Sequence, residues 1–273
     1  MKYLLLLLFV IAGCTSIQID EESVFEPKAS VTLESFAHED VSLEEWTIPV
    51  AGDSLALNAW WLSRPDAEAT VLFFGGQGFY LVQSKGYLEA FASLPVNALL
   101  VDYRGYGQSE GEPSVAALKA DAADVYRHLT GKRGIDPESI VVHGHSLGTF
   151  VALHLSEEHP VGGVVLENPA TNTRDWERSL VPWFFRLFIS LNFAEALESE
   201  DNVERIQSLE RPLLIVAGEE DEITPKIMAE KLYGRAPSSE KQFLSIEGGG
   251  HNGLHEHDAF LSAYRTLINL VRG

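Results

Sequence analysis

Residues 140–155 read IVVHGHSLGTFVALHL, and they place a serine between two glycines at the point where an apolar run ends. Three β-branched residues precede Gly144, as in a buried strand, and the residues after Gly148 have the apolar spacing of a helix. A serine at such a strand-to-helix corner adopts a strained turn, and flanking glycines let the two elements approach closely. Ser146 is therefore predicted to be a nucleophile at a sheet edge, beside the positive end of a helix.

The same G-x-S-x-G pattern occurs a second time, at residues 107–111. This copy lies in a glycine-rich loop, and Glu112 and Pro113 follow it where a helix would be required. The context of the motif therefore selects Ser146 and rejects Ser109.

Apolar runs alternate with helical segments over most of the chain. Strands are predicted at residues 70–74, 96–102, 139–143, 163–167, 213–217 and 242–246, and helices at 81–93, 115–130, 147–158, 225–234 and 258–271. Before them, residues 45–50 and 55–62 flank a turn and predict an antiparallel hairpin. The predicted fold class is α/β, with one doubly wound, mostly parallel sheet covered by helices on both faces.

The composition fits one such domain, spanning residues 45–273. Of the 273 residues 45% are apolar, which excludes both a disordered chain and a polytopic membrane protein. A formal charge of -20 disfavours nucleic acid as a partner, and it disfavours attraction to anionic lipid.

A serine nucleophile needs a base, and the base needs an acid that orients it. Asp221 follows the predicted strand at 213–217, and His251 follows the strand at 242–246 after three glycines. The chain order serine, acid, histidine is one known arrangement of such a triad. Because the carboxyl ends of parallel strands meet at one edge of a sheet, Ser146, Asp221 and His251 are predicted to act together.

The negative charge that develops on the substrate needs backbone N–H donors. The loop Phe74-Gly75-Gly76-Gln77-Gly78 follows the first parallel strand, and Leu147 follows the serine. Gly76 and Leu147 are therefore predicted as the oxyanion donors. The alternative is that these glycines only form a tight turn.

Residues 172–208 are longer than a crossover between two strands requires, and they are rich in aromatic residues such as Trp176, Trp183 and Phe188. An insertion at the carboxyl edge of a parallel sheet is where a lid over a pocket lies. The alternative is ordinary packing of a helix onto the domain.

The amino terminus has the features of an export signal. Lys2 precedes an apolar run at residues 4–12, which is too short to span a bilayer, and the single cysteine of the chain follows at position 14. The run Ile11-Ala12-Gly13-Cys14 resembles the lipobox of bacterial lipoproteins, which implies cleavage after residue 13, a lipid on Cys14 and attachment to a membrane. Because Thr15 and not an aspartate follows Cys14, the outer membrane is expected in a cell with two membranes. The alternatives are a plain signal peptide or a buried helix.

Residues 14–44 are acidic and lack clear periodicity. They are predicted to form a tether between the lipid and the domain, partly ordered against it. A solvated first strand and loop is the alternative.

The chain resembles the α/β-hydrolase family of serine hydrolases, in the group around Bem46 and the ABHD-like proteins. The residues that carry the resemblance are the DYRGYGQSEGEPS stretch at 102–114, GHSLG, the GEEDEITP loop at 218–225 and GGGHN at 248–252. The resemblance implies an α/β-hydrolase fold with a short helical lid, and Ser146, Asp221 and His251 as nucleophile, acid and base. The family usually has His-Gly-Asn in the oxyanion loop, where this chain has Phe74-Gly75-Gly76.

Members of the family hydrolyse esters, thioesters, lysophospholipids or peptides. The apolar insertion favours acyl esters or thioesters, with a small-molecule or lipid acyl substrate. A serine peptidase and a binding lipoprotein without activity are the alternatives. No cofactor is implied, and no metal is expected at His251, His255 and His257, since no second cluster of ligands accompanies them. Arg104 is expected to bond to carboxylates or carbonyls near the site.

Overall fold

The computed structural model describes residues 15–24, 36, 38–180 and 189–272. Within these residues the strands are β1 (Thr15–Ile19), β2 (Ser42–Pro49), β3 (Ala56–Ser63), β4 (Ala69–Phe74), β5 (Val96–Val101), β6 (Ile140–His145), β7 (Gly163–Glu167), β8 (Ile189–Phe193), β9 (Leu213–Gly218) and β10 (Lys241–Ile246). The α-helices are α1 (Glu21–Val24), α2 (Lys85–Ala92), α3 (Val115–Arg127), α4 (Gly148–Glu158), α5 (Thr173–Leu180), α6 (Glu195–Glu198), α7 (Asn202–Arg205), α8 (Lys226–Arg235) and α9 (Asp258–Arg272). No described helix is both long enough and apolar enough to cross a bilayer.

Eight of the strands form one twisted sheet in the order β10-β9-β7-β6-β4-β5-β3-β2. The neighbours from β10 to β5 pair in parallel, while β3 pairs antiparallel with both β5 and β2. The predicted α/β class with its amino-terminal hairpin is therefore confirmed. The order of strands reverses between β4 and β6, so the loops after these two strands emerge side by side at the edge where ligands bind in such sheets.

The two faces of the sheet are covered by different helices. Alternate residues of one strand enter opposite cores: Ile140 and Val142 of β6 belong to one apolar cluster, and Val141 belongs to the other. Helices α3, α4 and α8 pack on the first face, and α2 and α9 pack on the second. Burial on both faces explains why these strands are apolar throughout and do not alternate with polar residues.

Two of the differences between predicted and observed bounds concern elements near Ser146. Strand β6 extends two residues beyond position 143, because Gly144 and His145 still pair with Leu166 and Glu167 of β7. The helix predicted at 81–93 is divided at Ser84 into a short 3₁₀ turn and α2. The longer β6 carries the backbone directly to the residue before Ser146.

The amino-terminal segment is part of the fold. Strand β1 pairs in parallel with β8, which lies in the insertion, and the two form a separate two-stranded sheet. The expected helical lid therefore also contains a strand, and residues 15–24 of the expected tether are strand and helix. Strand β2 begins at Ser42, three residues before the expected start of the domain. The expected signal at residues 1–13, Cys14, Trp183 and Phe188 lie outside the described residues.

Candidate active site

Ser146 occupies a sharp turn between β6 and α4. Its φ of 51° lies in the left-handed region, which non-glycine residues rarely adopt, and such strain clusters at functional sites. A Cβ atom at Gly144 would lie 2.4 Å from the carbonyl oxygen of Gly148, and one at Gly148 would lie 2.0 Å from that of Phe74. Only glycine fits at both positions, so the spacing of the motif follows from close backbone contacts around the turn.

The structure brings Ser146, His251 and Asp221 into one hydrogen-bonded chain. Nε2 of His251 lies 3.0 Å from Oγ of Ser146, and Nδ1 lies 2.8 Å from Oδ2 of Asp221. A carboxylate can only accept, so Nδ1 carries the proton and Nε2 is left to accept the serine proton. This is the tautomer that a general base beside a hydroxyl nucleophile requires.

Asp221 is held in its ionised form. The main-chain N–H groups of Ile223 and Thr224 donate to its Oδ1, and the hydroxyl of Thr224 lies 2.8 Å from its Oδ2. Burial raises the pKa of Asp221, but the hydrogen bonds from His251 and Thr224 outweigh it and hold that pKa below its usual value. An ionised Asp221 can orient His251 and stabilise the imidazolium.

Ser109 has a structural role away from this chain. Its hydroxyl donates to the main-chain oxygen of Asp102 at 2.7 Å and accepts from the N–H of Asn58 at 2.8 Å. It is absent from the residues that line the cavity over Ser146. This position agrees with the prediction, made from the sequence context, that Ser109 is not the nucleophile.

The predicted oxyanion donors border the nucleophile. A Cβ atom at Gly76 would lie 3.1 Å from Cβ of Ser146, so the backbone of this loop passes directly beside the serine. Gly76 and Leu147 both line the cavity, and neither N–H donates to another backbone group among the described residues. Both donors are therefore available to an acceptor at Ser146.

Tyr103 supports this loop in the absence of the histidine usual in the family. Its hydroxyl donates to the main-chain oxygen of Gly75 at 2.7 Å. Burial raises the pKa of Tyr103 well above its usual value, so the hydroxyl stays protonated. This role of Tyr103 was not predicted from the sequence, although the residue lies in the DYRGYG motif.

His145 and Asn168 hold the main chain of the base, and neither was predicted to do so. Nε2 of His145 lies 2.9 Å from the carbonyl oxygen of His251, and the side-chain amide of Asn168 donates to the same oxygen at 2.9 Å and to that of Gly250 at 3.0 Å. The side-chain oxygen of Asn168 accepts from the N–H of Gly218, where β9 ends. Asn168 is fully buried, and its φ of 44° lies in the left-handed region. The signal in the sequence was an asparagine at the end of a strand, because asparagine adopts this conformation more readily than most residues.

A buried polar cluster lies behind the serine. The main-chain oxygen of Glu167 accepts from the N–H of Ser146, and its carboxylate accepts from Tyr87 and His143, each at 3.1 Å. Burial raises the pKa of Glu167, but the hydrogen bond from His143 and the nearby imidazoles outweigh it and lower that pKa. The ring of Tyr87 also packs against that of His255 at a tilt of 32°, with ring centroids 3.9 Å apart. The cluster fixes the end of β7 against the turn that carries Ser146.

A cavity of about 530 Å³ lies over Ser146 and His251, within the usual range for small-molecule sites. Most of its side chains on the insertion side are apolar: Val24, Val115, Leu118, Phe150, Val151, Trp176, Phe193 and Leu197. Among the described lining residues Glu200 is the one carboxylate, and it is paired with Lys119 and Arg205, each at 2.7 Å. The cavity therefore combines the predicted nucleophile with a mainly apolar wall.

Two other groups singled out in the sequence lie apart from this chemistry. Arg104 pairs with Asp121 and Asp53, so the expectation that it bonds to carboxylates is correct. It does not line the cavity, so the expected place near the site is wrong. Among the described residues, the histidine-rich loop forms no cluster that could hold an ion. The one group of possible metal ligands in the described part of the chain is on α4, outside the cavity lining, and consists of His154, Glu157 and Glu158.

Known proteins that are similar to this chain identify its family. The family model described as Hydrolase_4, serine aminopeptidase S33, matches residues 65–202 and 191–258. The chain belongs to the α/β-hydrolase family. It is 31% identical over 210 residues to protein bem46 of Schizosaccharomyces pombe, a match that covers 75% of this chain and 68% of that one. The predicted resemblance to the Bem46 group is thus confirmed.

Further α/β-hydrolases share the sequence and the fold. The protein WAV2 of Arabidopsis thaliana, described as containing an alpha/beta hydrolase domain, is 30% identical over 229 residues, covering 78% of this chain and 72% of that one. An esterase of Pyrococcus furiosus superposes with a TM-score of 0.67 at 18% identity, covering 89% of this chain and 94% of that one. At that identity the likeness demonstrates the fold alone.

Proposed function

We propose that this α/β-hydrolase cleaves acyl esters or thioesters through Ser146, His251 and Asp221. The observation that carries the proposal is the hydrogen-bonded chain of these residues on the floor of a mainly apolar cavity. Nucleophile, base and acid have the distances and the tautomer that acyl transfer needs.

In the proposed reaction Oγ of Ser146 attacks the acyl carbonyl carbon as its proton passes to Nε2 of His251. The carbonyl oxygen becomes negative and accepts hydrogen bonds from the N–H groups of Gly76 and Leu147. His251 then gives its proton to the leaving oxygen or sulfur, which departs and leaves an acyl-Ser146. Water repeats the sequence: it loses a proton to Nε2 of His251 as it attacks the acyl carbon. His251 then returns the proton to Oγ of Ser146 as the acyl–serine bond breaks and the acid is released.

The wall of the cavity favours an aliphatic acyl group. Trp176 and Phe193 pack with ring centroids 6.1 Å apart on the insertion side. Each methylene buried there contributes about 0.8 kcal/mol, roughly a fourfold gain in affinity. We expect kcat/KM to rise from acetyl towards medium-chain esters.

The description of the matched family favours a second candidate, a serine aminopeptidase. An aminopeptidase needs a carboxylate to bind the ammonium group of its substrate. Glu200 is the one carboxylate among the described lining residues, and Lys119 and Arg205 already neutralise it. This pairing favours the ester hydrolase.

Labelling by a fluorophosphonate probe, followed by a panel of acyl esters, acyl thioesters and aminoacyl amides, tests the proposal. We expect labelling at Ser146 and faster turnover of medium-chain esters or thioesters than of amides. A folded chain that is not labelled would be a binding protein, and a preference for aminoacyl amides would establish the peptidase.

We also propose that the chain is an exported lipoprotein held to a membrane by lipid on Cys14. The support is the lipobox-like run that ends at the single cysteine of the sequence. Mass spectrometry of the mature amino terminus, with Cys14→Ser as the control, tests this. A lipid-free Cys14 in the membrane fraction of the native host would contradict it.

A further inference from the structure

The first five residues after Cys14 are paired with a strand of the insertion. Thr15, the next residue in the chain, pairs with Ile189, and the pairing continues in parallel to Ile19 and Phe193. The N–H of Ala194 then donates to the carbonyl oxygen of Ile19 at 2.8 Å. Residues 15–19 therefore form a strand of the insertion and not a free linker.

A second attachment joins this segment to the body of the domain. The carboxylate of Glu21 accepts a hydrogen bond of 2.7 Å from the N–H of Val115, the first residue of α3. That N–H has no partner within the helix, and a carboxylate at a helix amino terminus is favourable. Glu21 thus fixes the short helix α1 above the amino end of α3, whose next turn lines the cavity with Leu118.

Val24 ends α1 and lies in the wall of the cavity. It is only 6% exposed and forms an apolar cluster with Phe193 and Leu197, against which Trp176 and Leu147 pack. Val24 and these four neighbours all line the cavity that contains Ser146. Residues ten positions from the proposed lipidation site therefore bound the space in which an acyl chain would lie.

We infer that residues 15–24 hold Val24 in the wall of the acyl cavity and that Val24 limits the length of the acyl chain that the site accepts. This inference rests on the proposed ester hydrolase. An aliphatic chain that extends from Ser146 past Leu147 towards Phe193 meets the Val24 side chain. A larger side chain at position 24 shortens the accepted chain, and a smaller one lengthens it.

The test compares Val24→Phe, Val24→Ala and wild type in the full chain, with Ile17→Ala as a matched control. Ile17 lies on the same segment, but its side chain is 46% exposed and does not line the cavity. kcat/KM is measured for acetyl, hexanoyl, decanoyl and tetradecanoyl esters. We expect the decanoyl-to-acetyl ratio to fall about fifteenfold in Val24→Phe, the effect of roughly two methylenes that are no longer buried.

In Val24→Ala the preferred ester shifts to a longer chain, and this variant decides the question if Val24→Phe does not fold. In Ile17→Ala the profile stays within about twofold of wild type, as for most exposed substitutions. An unchanged profile in both Val24 variants would overturn the inference, and so would an equal change in Ile17→Ala.

A binding measurement separates this inference from the proposed function. Calorimetric titration of decanoate into Ser146→Ala, with and without Val24→Phe, reports on the cavity without turnover. Weaker binding in the double variant supports the wall, and equal binding overturns it. Absence of fluorophosphonate labelling in wild type would overturn the proposed function and leave this titration decisive for Val24.

Discussion

Nε2 of His145 lies 2.9 Å from the main-chain oxygen of His251, so the residue before the proposed nucleophile holds the backbone of the proposed base. A carbonyl oxygen only accepts, and Nε2 of His145 therefore carries a proton. Burial lowers the pKa of His145, which keeps its imidazole neutral near pH 7. Nucleophile and base are thus joined both through their side chains and through this second, main-chain link.

The link predicts that His145 is a positioning residue. His145→Leu introduces an apolar side chain of similar bulk and removes the N–H donor. We expect kcat to fall about ten- to a hundredfold, because small misplacements of a catalytic group cause losses of this size. KM for a short ester should change much less. Steady-state kinetics with kcat and KM determined separately measure this split, and exposed His257→Leu is the control. A kcat equal to wild type in His145→Leu would contradict the role.

Asn168 is predicted to stabilise the site through its conformation and its amide. Asn168→Ala removes buried hydrogen bonds to Gly250, His251 and Gly218, and at a φ of 44° it replaces asparagine, which tolerates the left-handed region, by alanine, which tolerates it poorly. We expect the free energy of unfolding to fall by about 3 kcal/mol. Asn168→Gly loses the same bonds without the conformational cost, so it should recover about 1 kcal/mol. Urea denaturation compares the two; equal stabilities would show that backbone strain is unimportant there.

The two G-x-S-x-G serines give opposite predictions. Ser146→Ala should abolish fluorophosphonate labelling and turnover, because no other hydroxyl is hydrogen-bonded to Nε2 of His251 among the described residues. Ser109→Ala should remain labelled but lose about 1–2 kcal/mol of stability, since it leaves buried partners at Asn58 and Asp102 unsatisfied. Labelling and thermal denaturation of both variants check this. Loss of labelling in a folded Ser109→Ala would move the nucleophile.

Asp102 is predicted to make folding depend on pH. Burial raises the pKa of Asp102 from 3.8 to about 6, against hydrogen bonds from Leu81, Gln108 and Asn58 that lower it. Between these values the folded chain binds more protons than the unfolded chain, so this contribution to stability is present below about pH 4 and is lost as pH rises through 6. The loss amounts to about 3 kcal/mol.

Asp102→Asn removes this titration. The free energy of unfolding of wild type minus that of Asp102→Asn, measured by urea denaturation from pH 4 to 7, should therefore decrease as pH rises. The difference cancels the other carboxylates, such as Asp221, whose lowered pKa acts in the opposite direction. A difference independent of pH would show that Asp102 does not titrate in this range.

Local sequence accounts for the sheet and for the meeting of the proposed triad. Ser146, Asp221 and His251 each follow an apolar strand, and parallel pairing brings the ends of β6, β9 and β10 to one edge. Gly144 was also predictable, because its close backbone contact is with Gly148 of the same motif. Apolar residues that repeat with a period of two or 3.6 indicate the buried face of a strand or helix, and burial determined this part of the fold.

The tertiary structure alone determined what supports and encloses the site. The pairing of Ile17 with Leu191 joins residues far apart in the chain, and no local pattern specifies the partner or register of such short strands. The contacts of His145, Asn168 and Tyr103 likewise depend on the direction in which carbonyl oxygens point in the folded loops. The local sequence does not determine these directions. In the sequence, Val24 is an apolar residue within an acidic stretch. Only the pairing of β1 with β8 places it beside Phe193 in the wall of the cavity.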